Sequence, residues 1–387
     1  MRRVLTFLTA AVLLLVSLGV GVFTADLPFW RRALQLPLSA DGSYLPVVSI
    51  GTAGAQAAES VVPAASAFDS LVVEESVNRA RGAGSRALLV TYRGQLQVER
   101  YFLADDANTL MPAALVARPL AAMAIGIALA ERRMDSLETP VARFLPEWDD
   151  EPRGKITVRQ LLEETSGLET GGDIRGLLYR SPWDDLSALP AFATSRGVRM
   201  LLGNDFESSA LKFRLDHEPG GFYNLSPANT QLAAVIVERI TGMPFETYID
   251  ERVWRAVDAG NAELQLDRRA GMPAAHCCWR ATARDMLRVL NLLGTDGQHA
   301  GKAVLPAGWV AEMTRASRVN AETGMQVARL TINGDQALGV TDENGSAFWM
   351  IPRRGLAILN IASPGGSSLP ELPALLLKGL EGEPVAQ

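Results

Sequence analysis

Cysteine is nearly absent from this chain: there are two in 387 residues, adjacent at Cys277 and Cys278. That excludes a disulfide framework and a multi-cysteine metal site. The pair is expected to be two buried thiols acting as small hydrophobes, with a vicinal disulfide as the alternative if the chain is exported. Histidine is scarce as well. His217, His276 and His299 lie far apart with no ligand spacing, so no metal is expected, and no cofactor motif is present. Positive charge is also in short supply: 37 Lys and Arg stand against 43 Asp and Glu, a net charge of −6. With no basic run, there is no electrostatic case for nucleic acid as a partner. Internal repeats are missing too. What the chain has is length and apolar content. At 48% hydrophobic residues it can bury one large core or two moderate ones.

Long apolar runs occur in two places, and the first is the N-terminus. Met1-Arg2-Arg3 precedes an uncharged run from Val4 to Ala25, and about twenty such residues suffice to cross a bilayer as a helix. A cleaved signal has a shorter apolar core and small residues before the cut. Here the best site, after Phe23-Thr24-Ala25, carries a bulky phenylalanine. An uncleaved anchor is therefore favoured over cleavage and secretion. Arg2 and Arg3 hold the N-terminus in the cytoplasm and send the rest outward, although Arg31 and Arg32 on the exported side weaken that bias. Residues 1–25 read as the anchor. Residues 26–66, rich in Pro, Gly, Ser and Ala, read as a tether that packs partly on the domain. Residues 67–387 read as one domain.

The second run, Met111 to Arg133, is the element around which the domain is organised. It is small and apolar, has no proline after Pro119 and ends in a charged turn, so it predicts a buried helix entered at about Ala114. Leu115, Pro119, Ala122 and Ile125 or Gly126 share a face. Arg118 is the lone cation near its start. It must reach water at the helix entrance or find an anion, because an unpaired buried charge is costly. Before this helix, AFDSLVVEESVNRARG has helical spacing with a glycine stop, and ALLVTYRGQLQVERYF predicts two strands turning at Arg93-Gly94. After it, Pro227 to Ile240 predicts a helix stopped by Gly242, with Ser226 as its cap and Pro227 at its first position. FETYIDERVW predicts a further amphipathic helix.

Several of these stretches resemble the serine β-lactamase and penicillin-binding-protein superfamily, in particular its class C-like branch of esterases and aminohexanoate-oligomer hydrolases. The resemblance rests on IGIALAERRMDSLETPVARFLPEW, ITVRQLLEETSGL, AGMPAAHCCWRATARDMLRVLNLL and ALGVTDENGSAFWMIPRRGLAILNIAS, and it spans residues 67 to about 380. It implies an α/β (α+β) fold of the β-lactamase/transpeptidase-like kind. That fold is an antiparallel sheet flanked by helices, with a mostly helical second lobe built from residues 169–218.

The resemblance also implies where catalytic residues belong, and this chain lacks them there. The Ser-x-x-Lys motif of the family falls in register on Leu115, Val116, Ala117 and Arg118. Leucine has no lone pair with which to attack a carbonyl, and arginine stays protonated and cannot serve as a base. The Tyr-x-Asn motif falls on Leu225, Ser226 and Pro227, and the Lys/His-Thr/Ser-Gly motif on Glu343, Asn344 and Gly345. The family's reaction is acylation of a serine followed by hydrolysis. The expected outcome here is a pseudoenzyme that binds an unknown ligand or protein partner in the old cleft.

The alternative is a live amidase or esterase using displaced residues: Tyr223, Ser226 or His217. Tyr223 stands two residues early, a shift of about 7 Å along an extended chain. Ser166, in the Thr-Ser-Gly-Leu corner, is expected to be structural. Across the cleft, Glu343 is expected to pair with Arg118, the alternative being a solvated turn shared with Asp342. The N-terminal run generates the first prediction: the intact chain is retained on the outer face of a bacterial inner membrane, facing the periplasm. Membrane fractionation with N-terminal sequencing checks it, and a soluble protein beginning near Asp26 contradicts it.

Overall fold

A computed structural model describes residues 26–35, 45–52, 66–149, 151–172 and 186–380. The expected anchor lies outside these residues. Among them, no helix is long and apolar enough to cross a membrane.

The tether contributes more than a linker. α1 (Leu27–Gln35) buries Phe29, Trp30 and Ala33 against Phe192, Val198 and Leu202 of the helical lobe. β1 (Val47–Ile50) then pairs antiparallel with a strand more than two hundred positions later. α2 (Ser70–Gly82) starts where the Asp69 side chain accepts from the Leu71 N–H, which satisfies one of the unpaired amides of the first turn. The hairpin of β2 (Ser85–Tyr92) and β3 (Gln95–Tyr101) turns at Arg93-Gly94 as the sequence predicts. Short β4 (Met111–Pro112) leads into α3 (Ala114–Ala130), which starts at the predicted residue.

The helical lobe follows. It comprises α4 (Val158–Leu162), α5 (Leu189–Thr194), α6 (Arg196–Leu202), α7 (Phe206–Ala210), α8 (Pro227–Thr241) and α9 (Phe245–Ile249). Gly242 closes α8 in the left-handed conformation, as predicted. The chain returns through β5 (Ala262–Gln265), β6 (Trp279–Ala281) and α10 (Ala283–Asn291), then a small ribbon of β7 (Gln298–His299) and β8 (Lys302–Ala303), then α11 (Trp309–Met313). It ends in β9 (Ala328–Ile332), β10 (Asp335–Thr341), β11 (Ala347–Ile351), β12 (Leu356–Ala362) and α12 (Leu372–Gly379).

The main sheet is antiparallel with the order β3-β2-β12-β11-β10-β9. Its central strands are buried on both faces, and strand alternation divides their side chains between two cores. Leu89, Phe348, Met350 and Leu359 face the core that contains α3, whereas Leu88, Val90, Trp349 and Ile358 face the one beneath α2 and α12. A second sheet, β1-β5-β6-β4, holds the start of α3 in place through Met111↔Ala281 and a 2.8 Å bond from the Ala113 N–H to the Trp279 carbonyl.

The two cysteines correct the sequence expectation. They are disulfide-bonded and only half-buried. The backbone turns left-handed at Cys278 (φ 67°), so the pair sits on a bend and not in the extended, enclosed setting that suits two thiols. Beside it, the Nδ1–H of His276 donates to Gln231 Oε1 at 3.0 Å, and burial pulls this imidazole down to about 4.

α3 is enclosed almost all round, which makes its volume tightly constrained. A Cβ at Gly126 would come within 2.0 Å of the Trp309 ring, and Trp309 is itself buried. Gly126→Ala is therefore expected to destabilise the fold by about 1–3 kcal/mol through overpacking, despite a helix-propensity gain of about 1 kcal/mol. Urea denaturation measures the difference, and a stabilised variant would contradict the packing.

Candidate functional site

α3 presents its first turn to the end of β10. Leu115 lies at the start of that turn and is only 1% exposed, with its side chain in the core. Arg118 follows three residues later on the same side of the helix. It is half-buried, and its Nη2 donates to the Thr341 carbonyl at 3.0 Å. Only one of its five N–H donors has a protein acceptor, and among the described residues Arg118 forms no ion pair.

Facing Arg118 is the corner that follows α4. Thr157 and Gln160 form a reciprocal capping box that fixes the start of this helix, and the chain leaves it through Glu164. Glu164 has a left-handed backbone, φ 57°, uncommon for a residue with a Cβ and a sign that the surroundings dictate its conformation. Its side chain is 3% exposed. Oε2 accepts from the Ser226 N–H at 3.0 Å and from Asn229 Nδ2 at 2.5 Å, while Oε1 accepts from Gln326 Nε2 at 2.8 Å. Burial raises the pKa of this carboxyl above the ordinary glutamate value. The positive charge of Arg118 and the three donors oppose that rise.

The structure sorts the residues singled out from the sequence. Leu225 is 48% exposed and Pro227 is the first residue of α8, so neither brings a polar side chain to the cleft. Ser226 is buried, and its Oγ donates to the Glu169 carbonyl at 2.7 Å. It sits at the cap position of α8 but makes no side-chain cap bond, which corrects the expected role: its hydroxyl ties the α8 start to the corner. His217 is exposed, with its ring 4.7 Å from that of Phe222. Ser166 is wholly buried and donates to Asn229 Oδ1 at 2.6 Å, a structural role.

Tyr223 comes near Glu164 and Arg118, because the segment before α8 folds back on Glu164, whose carbonyl accepts the Asn224 N–H at 2.8 Å. The charges of Glu164 and Arg118 both act on its phenol. Burial pushes the phenol pKa up, Glu164 adds to the rise and Arg118 opposes it.

The expected Arg118–Glu343 pair does not form. Glu343 is exposed in the β10–β11 turn, while its neighbour Asp342 points inward. Asp342 Oδ1 accepts from the N–H groups of Asn344 (2.9 Å) and Ser346 (3.0 Å), which ties the turn to itself. Oδ2 is buried and has no hydrogen-bond partner. Burial raises the Asp342 pKa, and Arg118 works against the rise. Gly345 completes the turn at φ 89°, where a Cβ would lie 2.7 Å from the Gly366 carbonyl oxygen. The acidic environment of Arg118 therefore comes from Glu164 and Asp342. A signal for Glu164 was present in the sequence, as a Glu163-Glu164 pair inside the apolar LLEETSGL stretch. Nothing local distinguished Asp342 from Glu343, since which of two adjacent turn residues faces inward depends on strand register.

The arrangement offers a cation with free donors, a phenol held protonated and two inward carboxylates. Such a set can bind a polar ligand. Of the residues singled out from the sequence, Leu115 is alkyl, and the Ser166 and Ser226 hydroxyls donate to Asn229 Oδ1 and the Glu169 carbonyl.

Glu164 generates a pH prediction. A carboxyl whose folded pKa is raised contributes stability below its unfolded value of about 4.3, and that stability is lost as pH rises through the folded value. Removing Arg118 should raise the folded value further. Arg118→Met is thus expected to steepen the loss of stability with rising pH, and Glu164→Gln to flatten it. The two should couple in a double-mutant cycle, whereas Arg118→Met and Glu343→Gln should be additive. Urea titrations from pH 4 to about 9 read all three, and coupling through Glu343 instead of Glu164 would refute the assignment.

Comparison with known proteins extends these observations. The profile of the family described as Beta-lactamase matches residues 69–367. A 6-aminohexanoate-dimer hydrolase of Paenarthrobacter ureafaciens is 26% identical over 293 residues, which cover 72% of each chain. A Bacillus anthracis structure carrying the name of the same hydrolase superposes with a TM-score of 0.66 at 21% identity, covering 87% of this chain and 89% of that one. The octameric penicillin-binding protein homologue of Pyrococcus abyssi superposes with a TM-score of 0.59 at 14% identity, over 80% of this chain and 76% of its own.

Proposed function

The chain belongs to the Beta-lactamase family, and from that premise we propose that it is a catalytically inactive member which binds a ligand or protein partner through the former active-site cleft. The observation that carries this reading is Leu115. It is buried one helical turn from Arg118, at the position where the family resemblance calls for the attacking serine. Covalent catalysis needs a nucleophile beside a group able to take its proton. An alkyl side chain and a guanidinium supply neither. Relatives named as a 6-aminohexanoate-dimer hydrolase and a penicillin-binding protein homologue make an amide-bearing ligand the class to try first. Arg118 and Tyr223 would offer it hydrogen-bond donors. Its place is proposed to be the outer face of the inner membrane, tethered by residues 1–25.

A second reading, a hydrolase running on displaced residues, has one observation in its favour: Tyr223 lies within reach of the charges of Arg118 and Glu164. Its phenol is pushed up, away from the base form a catalyst would need, which weighs against it. Neither penicillin nor a fluorophosphonate is expected to label the purified protein. Intact-mass spectrometry checks this, and a stoichiometric acyl or phosphonyl adduct mapped to the cleft would overturn the proposal.

A further inference from the structure

Apart from the cleft, the helical lobe carries a cavity of about 570 Å³, between the Glu151–Arg153 turn, the start of α6 and the segment 211–215. Four cations line it, Arg153, Arg196, Lys212 and Arg214, against one lining carboxylate, Glu151. On a chain of net charge −6, that concentration of positive charge is local and not a background property. The cavity is shallow and open to solvent on one side, so a ligand seated in it would keep part of its surface in water. Pro152, Leu211 and Leu215 give it an apolar wall.

Two of the cations are fixed in the wall. Arg153 donates through Nη1 to the carbonyls of Leu211 and Phe213, both at 2.7 Å, and through Nε to Glu151 Oε2 at 2.6 Å. Its guanidinium also lies over the Trp148 ring, 4.7 Å from the centroid. Arg196 Nε is 2.5 Å from Glu169 Oε1, an oxygen that accepts the Arg214 N–H at 2.8 Å as well. The other two cations, Lys212 and Arg214, are not fixed in this way by any described residue. Phe213 is wholly buried and anchors its segment, and the residues on either side of it project together toward solvent. Lys212 and Arg214 are both exposed on the cavity wall, and among the described residues neither forms an ion pair.

We propose that this cavity is a binding site for a phosphate-bearing ligand with an apolar body. A phosphate group spreads its charge over several oxygens and can meet separated cations at once, whereas one carboxylate is satisfied by one guanidinium. Lys212 and Arg214 supply the free charge, Arg153 and Arg196 hold the walls, and Leu211 and Leu215 take the apolar part. The site is independent of whether the cleft is catalytic. It is nonetheless attached to the cleft, since Glu169, which holds Arg196, accepts the Ser226 hydroxyl bond.

Isothermal titration of the full-length protein with pyrophosphate, and separately with monomeric short-chain phosphatidylglycerol, tests the proposal. Saturable, salt-sensitive binding of at least one probe is expected. It should weaken roughly tenfold or more in Lys212→Gln/Arg214→Gln, which removes two charge-assisted bonds, while the melting temperature stays unchanged. Pyrophosphate binding would point to a soluble phosphate compound, and lipid binding alone to a headgroup. No saturable binding of either probe, or an unchanged affinity in the double variant, would overturn the site. So would equal weakening in the control Arg132→Gln/Lys378→Gln, which removes two exposed cations elsewhere.

Discussion

One constraint governs the centre of this molecule. A helix enclosed on nearly every side, α3, carries a permanently charged side chain one turn from its start. A guanidinium cannot neutralise itself by losing its proton, so the neighbouring structure must accommodate the charge. It does so with one carbonyl, Thr341, and with the fields of two carboxylates brought from distant segments. Those carboxylates are themselves desolvated, and Arg118 offsets part of the cost of keeping them charged. The group is interdependent in the manner of buried polar networks, where removing one member leaves the others poorly solvated.

The Glu164–Gly172 corner transmits this constraint to the rest of the helical lobe. On one side its backbone and side chains hold Asn224, Ser226 and Asn229. On the other side, Glu169 holds Arg196 and the Arg214 amide. The conformation of Glu164 itself is one that a residue with a Cβ rarely adopts, and three side-chain hydrogen bonds keep it there. The proposed binding role draws on this rigid polar corner, which fixes the groups around Arg118.

The described parts of residues 26–66 add a second lesson about packing. Pro, Gly, Ser and Ala content marks residues 26–66 as a tether, yet Phe29, Trp30 and Ala33 form one apolar stripe, and Val47–Ile50 completes an otherwise open edge of β5. A short amphipathic helix and a four-residue strand gain their stability from partners far away in the chain. The same holds for the cysteine pair, whose bonding depends on a backbone turn at Cys278 that neither cysteine announces.

The sequence by itself determined the elements whose causes are local. The α3 start, the β2–β3 turn, the proline that opens α8 and the glycine that ends it follow from apolar spacing, caps and turn chemistry that act within a few residues. It also determined a chemical absence, because Leu115 and Arg118 lack a lone pair and a removable proton in any fold. The tertiary structure decided which groups meet. Asp342 turned inward and Glu343 outward, Glu164 became the buried carboxylate near Arg118, and Tyr223 came within the influence of both despite its offset. Lys212 and Arg214 came to share a cavity with Arg153 and Arg196. These outcomes depend on strand register and on the packing of segments far apart in the chain, where a one-residue change of register reverses a side chain and no short window of sequence carries the information.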